Sequence, residues 1–385
     1  MFLPFLLPYI DMANSVKSDE YYMQRALQLA EKGRGYVAPN PLVGCVIVNQ
    51  EGVIVGEGFH ERYGEAHAEV NAVNSVEDSS ELLNATVYIT LEPCAHQGKT
   101  PPCANMLAGL PVKRVVYALG DPNPKVNGKG EQILRDAGKI VSKGVLENEA
   151  KLQNEFFLYH ITTGKPFITL KIAQTLDGYT AALDGTSQWI TGKPAREMVH
   201  LWRSQYDAVM IGRNTALEDN PKLTVRHVEG RNPLRIVIDG QFSLPRNLHL
   251  FSDQHEEKTI VITHNTSKAR EESDPVLSLL DQDYFRGRTV LVGKRESHSD
   301  LREAIIKLGK MGISSVLVEA GNNLATALLS QNLVDKLHIF TAPKLLGSGT
   351  RSVSHIGIER INEMISLHKV EWNQVGDDML CTAYL

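Results

Sequence analysis

Four residues in one short region of the sequence, His67, Glu69, Cys94 and Cys103, have the types and spacing of a metal-activated hydrolytic site. A catalytic zinc ion usually takes three protein ligands and leaves its fourth position to water, and His67, Cys94 and Cys103 supply three. Zinc lowers the pKa of coordinated water to about 7, so a neighbouring carboxylate could pass a proton from that water to a leaving amine. Glu69, two residues after the histidine near a predicted helix start, points differently from it and is the candidate proton shuttle.

The residues around the two cysteines predict how these thiols are held. Proline precedes each cysteine, and proline favours the first turn of a helix. Pro101 and Pro102 therefore predict that Cys103 stands at a helix N-terminus, where the helix dipole stabilises a thiolate. The loop between the cysteines carries His96 and Lys99. These two side chains could contact a substrate phosphate or ring, or they could simply face solvent.

The order of these residues is similar to the signature of zinc deaminases, in which His-x-Glu is followed by Pro-Cys-x-x-Cys. The first half is present, whereas eight residues instead of two separate Cys94 from Cys103. A disulfide between these cysteines and a structural zinc site are the alternatives. A structural site is normally closed by four ligands, and four cysteines in 385 residues do not make a disulfide framework. The pattern favours hydrolytic deamination of an amidine-like ring carbon.

Composition places the chain among ordinary globular proteins. Apolar residues make up 42% and charged residues 22% of the 385 residues, and the formal net charge is −5. Without a global basic surface, nucleic acid is not expected as the main partner, although a local Arg and Lys cluster would suffice for a small anionic substrate. The apolar first ten residues are too short to span a bilayer and lack a basic n-region. We expect a loosely ordered leader over 1–17, no membrane partner and a cytoplasmic protein.

Hydrophobic periodicity predicts two α/β domains, over 18–147 and 166–385, joined by a linker at 148–165. Ser18 and Ser299 are the predicted N-caps of the helices that follow them. In the first domain the predicted elements are helices at 19–32, from 67, at 104–108 and at 131–137, and strands at 42–48, 53–59, 85–91, 112–118 and near 140. In the second they are strands at 167–172, 208–211, 234–239, 259–263, 315–319 and 336–341, and helices at 195–204, 300–311 and 322–329.

The second half has no Gly-x-Gly-x-x-Gly fingerprint of a standard dinucleotide-binding domain. It does contain an apolar strand, a glycine-containing turn and a helix over residues 316–325. The free N–H groups at such a helix N-terminus can hold a phosphate. Because many strand–turn–helix units bind nothing, this pattern alone is compatible with a phosphate site or with none.

Longer motifs carry a resemblance that covers the chain from about residue 18 onward. The block from Pro93 to Cys103, Pro-Asn-Pro-Leu-Val-Gly-Cys at 39–45 and Gly-Asp-Pro-Asn-Pro at 120–124 resemble the bifunctional deaminase/reductases of riboflavin biosynthesis. The wide cysteine spacing is this family's own version of the deaminase site. The resemblance implies an α/β protein with a cytidine-deaminase-like three-layer α/β/α domain at the N-terminus.

The first reaction that the resemblance implies is hydrolysis of the exocyclic 2-amino group of 2,5-diamino-6-ribosylamino-4(3H)-pyrimidinone 5′-phosphate, with release of ammonia. His67, Cys94 and Cys103 would hold Zn²⁺, and Glu69 would move the protons. Asn40, between two prolines, would help to bind the pyrimidine, although it could also be a plain turn residue.

The second half resembles the reductase half of the same family in its motifs at 176–178, 187–191, 219–226 and 319–321. That half has a dihydrofolate-reductase-like α/β fold and uses NADPH to reduce the ribosyl chain to ribityl, adding hydride at C1′. The positions that would contact NADPH are Ala173, Trp189, Thr215, Asp219, Gly321, Asn322, Asn323, Leu324, Ala325, Thr326 and Ala327. Those that would contact the substrate are Ser187, Arg203, Leu223, Arg226 and Glu319.

The residue types are compatible with these roles and with simpler ones. Arg203 and Arg226 can make charge-assisted bonds to a phosphate, but either could be a surface salt bridge. Trp189 could be packing rather than a cofactor contact. Asp219 could position or protonate the sugar, or it could merely cap a turn.

Two other functions compete with the bifunctional enzyme. One is a zinc deaminase of another nucleoside, base or tRNA whose C-terminal domain only binds a nucleotide, and the other is a non-catalytic module with structural zinc. The pI of about 6.2 counts against tRNA, because phosphate contacts need a basic face. The open three-ligand site with Glu69 counts against the module. We expect a small phosphorylated pyrimidine substrate, Zn²⁺ and NADPH as cofactors, no nucleic acid, and a homo-oligomer.

Overall fold

The computed structural model describes residues 17–95, 102–122, 128–265, 287–295 and 298–385. The chain forms two compact units that divide between Asn154 and Glu155. The predicted leader lies outside the described residues except for Lys17. Among the helices of the described ranges, none combines the length and apolar character needed to span a bilayer.

The first unit is built on a five-stranded sheet with helices packed against it. Its described helices are α1 (Asp19–Glu31), α2 (Ala68–Asn74), α3 (Cys103–Gly109), α4 (Lys129–Asp136) and α5 (Glu147–Gln153). Its strands are β1 (Gly44–Val48), β2 (Ile54–Phe59), β3 (Thr86–Leu91), β4 (Arg114–Leu119) and β5 (Ile140–Lys143), in the order β2-β1-β3-β4-β5. β1 is antiparallel to β2 and β3, whereas β3, β4 and β5 run parallel. The predicted hairpin followed by alternating helices and strands is thus present.

Helix α1 is fixed to this sheet by its buried face and by a charged anchor. Tyr22, Ala26, Leu29 and Ala30 recur at helical spacing and are all buried. Ser18 stands at the N-cap position, as predicted, but its side chain makes no capping hydrogen bond. Asp19 in the first turn accepts hydrogen bonds from both Arg114 and Tyr88 on the sheet instead. A carboxylate there also complements the positive end of the helix dipole.

Two glycines in β2 let helix α2 lie directly on the sheet. A Cβ atom on Gly58 would be 2.3 Å from the Ala72 nitrogen and 2.5 Å from the Ala68 carbonyl oxygen. A Cβ atom on Gly56 would be 2.6 Å from the Ala72 carbonyl oxygen. Asn71 adds a 2.8 Å hydrogen bond from its side-chain amide to the Phe59 carbonyl. The N-terminus of α2 is therefore held against the end of β2.

The second unit is built on a nine-stranded sheet. Its described helices are α6 (Glu155–Thr163), α7 (Lys193–Gln205), α8 (Arg213–Asp219), α9 (His249–Ser252), α10 (Leu301–Lys310) and α11 (Asn322–Ser330). Its strands are β6 (Phe167–Thr175), β7 (Tyr179–Ala181), β8 (Ala208–Gly212), β9 (Leu234–Ile238), β10 (Thr259–Thr263), β11 (Arg288–Leu291), β12 (Lys294–Arg295), β13 (His298–Ser299), β14 (Ser315–Glu319), β15 (Lys336–Ala342), β16 (Thr350–Arg351), β17 (His368–Val375) and β18 (Asp378–Tyr384).

The strand order of the large sheet is β11-β10-β9-β8-β14-β6-β15-β18-β17. Strands β11 to β15 in this order are parallel, and only β18 and β17 run antiparallel. Sequence analysis found the central strands, which are apolar runs, but assigned nothing after residue 341. The hairpin β17–β18 was missed because seven of the eight β17 residues are exposed and form no apolar run.

The predicted cap of α10 was displaced by one residue. Asp300, not Ser299, stands at the N-cap, and its carboxylate accepts the Glu303 N–H at 3.1 Å. The Ser299 hydroxyl is bonded to the His264 ring instead. Serine and aspartate both suit the N-cap position, so the sequence did not distinguish Ser299 from Asp300, which is one residue closer to the helix.

Two helices, α5 and α6, occupy most of the segment 148–165 that was predicted as a linker. Asn154 is buried, and its amide pairs with both the N–H and the C=O of Leu42. The next residue, Glu155, accepts hydrogen bonds from Lys336 and Tyr384. Each side of the division is therefore tied to its own unit, which explains why the units separate at this peptide bond.

We predict that Gly58→Val lowers the free energy of unfolding of the first unit by about 3 kcal/mol, because overpacking against a helix backbone must push α2 away. Gly109→Ala is the matched control, since no atom lies within 4 Å of a Cβ there. The control should change stability by less than about 1 kcal/mol. Scanning calorimetry measures both, and an unchanged transition in Gly58→Val would contradict the packing argument.

Candidate active sites

The three predicted metal ligands converge in the first unit from three different elements. His67 is the N-cap of α2, Cys94 follows β3, and Cys103 is the first residue of α3. The His67 Nδ1 atom lies 3.5 Å from Cys94 Sγ and 3.4 Å from Cys103 Sγ, and all three ligand atoms lie within 4.8 Å of one another. Zinc ligands at about 2.0–2.3 Å in a tetrahedral arrangement are separated by similar distances. The donor set and its spacing therefore fit zinc.

The two thiols form an asymmetric pair. The Cys103 N–H donates to Cys94 Sγ at 3.3 Å. A hydrogen bond from the Cys103 thiol, and a smaller contribution from His67, lower the pKa of Cys94 to about 4. The pKa of Cys103 is raised, first because its thiol donates to Cys94 and then because it is buried. Cys94 is thus the sulfur that ionises first, and the thiolate is the form that binds metals.

Glu69, two residues after His67 in the first turn of α2, is buried, at 4% exposure. Burial, and then the charge of Cys94, raises the pKa of Glu69 to about 7. A carboxyl group with that pKa exchanges protons readily near neutral pH, which is what a general acid–base needs. The predicted proton shuttle therefore lies beside the predicted ligands in a suitable environment.

A histidine that sequence analysis missed holds Asn40 near this cluster. His60 is 3% exposed and contacts the His67 ring edge-on, with 5.6 Å between the ring centroids. Its Nδ1 lies 3.0 Å from the Ala66 carbonyl, which can only accept, so Nδ1 carries the proton. Burial lowers the pKa of His60 and favours the neutral ring. Its Nε2 then accepts from the Asn40 side-chain amide at 3.2 Å, and Asn40 Oδ1 bonds no described residue.

Glu92, also missed, fixes the turn that carries Cys94. Its buried carboxylate accepts the N–H groups of Gly128, Gly130 and Glu131 at the start of α4, at 3.0, 3.1 and 3.3 Å. Gly130 allows the close approach, because a Cβ there would lie 2.1 Å from the Pro93 carbonyl oxygen. The only sequence signal was a charged residue at the end of an apolar strand. His96 and Lys99, the candidate substrate contacts, lie outside the described residues.

The second unit contains a cavity of about 1630 Å³ along the carboxyl ends of its parallel strands. Ligands of open α/β sheets bind at such ends. The structure brings together here almost every predicted reductase residue, namely Ala173, Ser187, Trp189, Arg203, Thr215, Asp219, Leu223, Arg226, Glu319, Gly321, Asn322, Asn323, Leu324, Thr326 and Ala327. Ala325 does not line the cavity, because its side chain is fully buried in the core beneath α11.

Several predicted residues contact one another across this cavity. Trp189 is 64% exposed, which argues against simple packing, and the Arg196 guanidinium lies 4.5 Å from its ring centroid. The Ser187 hydroxyl lies 3.4 Å from the Asp219 carboxylate. The turn before α11 approaches α8 so closely that a Cβ on Gly321 would be 3.3 Å from Thr215 Oγ1.

Arg203 and Glu319 form an ion pair with little exposure. The Arg203 Nε and Nη2 donate to the two carboxylate oxygens at 2.6 and 2.8 Å, and Nη1 donates to the Thr224 carbonyl at 3.2 Å. Burial alone would raise the pKa of Glu319, but the charge and hydrogen bonds of Arg203 outweigh it and hold the pKa at about 2. Arg226 is exposed and makes one side-chain bond, to Thr224 Oγ1 at 3.1 Å. Of the two arginines, Arg226 is therefore the one available to a phosphate.

Lys171 is a further cavity residue that sequence analysis missed. It lies on β6 opposite Glu319 of β14, in the middle of an apolar strand. Burial lowers its pKa, whereas Glu319 and Asp219 oppose the shift and Arg203 adds to it. A lysine inside an apolar strand was the available signal, since a buried charge needs partners and is often functional.

The loop at 220–226 has a fixed backbone. The His249 N–H donates to Asn220 Oδ1 at 2.8 Å, and the fully buried Arg235 donates to the Lys222 carbonyl at 3.2 Å. Leu223 is buried at a φ of 54°, in the left-handed region that a leucine rarely adopts. Such a conformation persists only where surrounding contacts impose it, and it is common at functional sites.

Two protein-family models match the chain. The cytidine and deoxycytidylate deaminase zinc-binding region matches residues 16–119, and the RibD C-terminal domain matches residues 166–381. The chain is 43% identical over 375 residues to the riboflavin biosynthesis protein RibD of Escherichia coli, covering 94% of this chain and 98% of that protein. It is 40% identical over 374 residues to RibD of Actinobacillus pleuropneumoniae, covering 96% of each.

Solved structures give the same result. RibD of Acinetobacter baumannii superimposes with a TM-score of 0.83 at 35% identity, covering 95% of this chain and 98% of that chain. A Thermotoga maritima protein superimposes with a TM-score of 0.82 at 35% identity and the same coverage. The latter is described as a diaminohydroxyphosphoribosylaminopyrimidine deaminase/5-amino-6-(5-phosphoribosylamino)uracil reductase.

We predict that Cys103→Ser lowers the zinc content of the purified chain well below one ion per chain, because a serine hydroxyl is a far weaker zinc ligand than a thiolate. Cys45→Ala removes a different buried thiol, on β1, and should leave the zinc content unchanged. Elemental analysis measures both variants. An unchanged zinc content in Cys103→Ser would refute ligation by this residue.

Removal of the Arg203 charge should reverse the direction in which the stability of the second unit changes as pH falls. Arg203→Met leaves Glu319 buried without a partner and should lower the free energy of unfolding at pH 7 by about 3 kcal/mol. In the unaltered chain the pair's stabilisation is present above about pH 4.3, the ordinary value for glutamate, and is lost as pH falls toward 2. In the variant, stability should instead rise as acid neutralises Glu319.

Denaturant unfolding followed by tryptophan fluorescence measures this, because all three tryptophans lie in the second unit. Lys193→Met, which breaks an exposed ion pair with Glu197, is the control and should cost less than about 1 kcal/mol. Equal effects of Arg203→Met and Lys193→Met would show that the buried pair contributes no more to stability than the exposed pair does.

Proposed function

Because the chain belongs to the RibD family of riboflavin biosynthesis, whose members are deaminases and reductases in one chain, we propose that its two sites catalyse consecutive reactions. The zinc-binding deaminase domain hydrolyses the 2-amino group of 2,5-diamino-6-ribosylamino-4(3H)-pyrimidinone 5′-phosphate. The NADPH-dependent reductase domain converts the ribosyl side chain of that product to ribityl. The observation that carries the residue assignment is the convergence of His67, Cys94 and Cys103 with Glu69 buried beside them.

At the first site, His67, Cys94 and Cys103 would hold zinc, which supplies a Lewis acid that makes water a stronger acid. Glu69 accepts the proton of the attacking water on its carboxylate and returns it to the departing amine, so that ammonia leaves as a neutral molecule. Asn40, whose NH₂ group is occupied by His60, offers its carbonyl oxygen to an N–H group of the pyrimidine. Its orientation therefore favours a ring that presents a hydrogen-bond donor.

At the second site, NADPH supplies the hydride that adds to C1′ of the sugar. The C1′–O4′ bond breaks as the hydride arrives, so O4′ must gain a proton. Lys171 is a half-buried lysine that lines the cavity, and burial lowers its pKa, which makes its ammonium a better proton donor. We assign Lys171 to this proton and Arg226 to the substrate phosphate. The Arg203–Glu319 ion pair joins α7 to β14 in the wall of the cavity.

We also propose a cytoplasmic homo-oligomer. Four free thiols, at Cys45, Cys94, Cys103 and Cys381, suit a reducing compartment. The edge strand β17 exposes Val370 by 44% and Trp372 by 62%, which suits contact with a second copy of the chain. Sedimentation at several concentrations tests the assembly, and a monomer at every concentration would contradict it.

The assignment of Glu69 is tested by Glu69→Gln. A glutamine cannot carry the proton, so ammonia release should fall by about 10²–10⁴-fold, while zinc content and reduction of the deaminated product stay unchanged. Glu61→Gln, an exposed glutamate on the same unit, is the matched control and should retain full activity. Release of ammonia is measured by a coupled assay after addition of the diaminopyrimidinone phosphate. Deamination that survives in Glu69→Gln would exclude the shuttle role.

A further inference from the structure

Two side chains one turn apart on α7 hold the loop at 220–226 by its backbone. Arg203 donates from Nη1 to the Thr224 carbonyl at 3.2 Å. His200, three residues earlier on the same helix face, accepts the N–H of Arg226 on its Nδ1 at 3.2 Å. The loop is therefore clamped at two points, and the second point is the residue assigned to the substrate phosphate.

The hydrogen bond to Arg226 defines the state of His200. A backbone N–H can only donate, so Nδ1 is unprotonated and the proton is on Nε2. His200 is 5% exposed, and burial, followed by the nearby charges of Arg203, Arg226 and His227, lowers its pKa to about 4 against the opposing charge of Glu319. The ring is thus neutral near pH 7, and Nδ1 is an acceptor there.

The same ring faces the cavity. His200 lines it together with Arg203, Arg226 and His227, and the His227 ring contacts His200 edge-on at 4.6 Å between centroids. The Nε2 atom of His200 bonds no residue in the described part of the chain. Arg226 has only one side-chain bond, to Thr224 Oγ1. Apart from that one bond among the described residues, the position of its guanidinium depends on the backbone of the loop.

We propose that His200 is a positioning residue of the reductase site, which holds Arg226 toward the substrate phosphate by accepting its backbone N–H. This inference rests on the proposed function of the second site. The competing role for a buried histidine is filling space in the core. The two roles differ in what replaces His200, because a hydrogen-bond acceptor is needed for one and volume for the other.

The test compares His200→Asn with His200→Leu in the full chain. Asparagine can place its Oδ1 near the position of Nδ1 and keep the bond to Arg226, whereas leucine fills similar space without an acceptor. His200→Leu should raise the KM for the deaminated pyrimidine phosphate about tenfold, which corresponds to about 1.4 kcal/mol, with kcat changed less than about twofold. His200→Asn should remain within about threefold of the unaltered chain in both constants.

A double-mutant cycle with Arg226→Ala shows whether His200 acts through Arg226. In the Arg226→Ala background, His200→Leu should add less than about twofold, and with the substrate lacking its 5′-phosphate it should have a similarly small effect. Ammonia release from the diaminopyrimidinone phosphate and the melting temperature serve as controls of folding. A loss in His200→Leu that is equally large in the Arg226→Ala background would overturn the proposal, as would a leucine variant with the unaltered KM.

Failure of the His200 proposal can be distinguished from failure of the proposed function. If the unaltered chain fails to oxidise NADPH with the deaminated substrate, the proposed function is wrong and the role of His200 falls with it. If the unaltered chain is active but His200→Asn behaves as badly as His200→Leu, the reductase assignment stands and only the acceptor role of His200 is overturned.

Discussion

The deaminase site depends on one geometric constraint, which is that three ligand atoms from three separate elements must lie within a few ångströms of one another. His67 starts α2, Cys94 follows β3 and Cys103 starts α3. None of these elements is fixed by the ligands alone. Helix α2 is seated by Gly58 on β2, and the turn with Cys94 is fixed by Glu92 at the start of α4. Contacts outside the ligand set can therefore position His67 and Cys94 without zinc. The free energy of metal binding is then not needed to fold this part of the site.

In the second unit, several charged side chains lie next to one another in a region with little exposure to solvent. Arg203, Glu319, Lys171 and Arg226 all line the cavity. Burial of Arg203, Glu319 or Lys171 without a partner would be costly, whereas Arg226 is exposed. The bidentate Arg203–Glu319 pair neutralises the most buried of these charges and joins α7 to β14. The loop with Leu223 and Arg226 is then fixed by backbone contacts to α7 and to Arg235. Arg203 thus takes part both in neutralising Glu319 and in holding the loop.

The features that local sequence patterns encode could be predicted from the sequence. The candidate zinc ligands and Glu69 stand in a compact motif, and the central strands are recognised by their apolar composition. His60 and His200 were missed because their partners, Asn40 and the backbone of Arg226, lie far away in the sequence. Glu92 and Lys171 carried only a weak signal, a charged residue at the end of an apolar strand or inside one. Nothing near His60, for example, indicates that its ring joins Asn40 to the Ala66 carbonyl.

Other differences have equally specific causes. Asp300 shows that cap chemistry predicts a helix start but not which of two suitable neighbours makes the bond, and Ser18 stands at the N-cap without making one. The left-handed conformation of Leu223 is imposed by tertiary contacts and has no signature in a leucine. The hairpin β17–β18 has an exposed outer strand, so hydrophobic periodicity does not reveal it. Ala325 was included with its neighbours because the motif at 321–327 was treated as one unit, whereas helical geometry turns its side chain into the core.

The most direct test of two consecutive sites on one chain is a time course of ammonia and NADPH in the same sample, started with the diaminopyrimidinone phosphate. We expect ammonia to appear at the same initial rate with or without NADPH. NADPH oxidation should begin only after a lag and should never exceed one equivalent per ammonia released. Oxidation of NADPH before ammonia is released, or without it, would contradict the order of the two reactions.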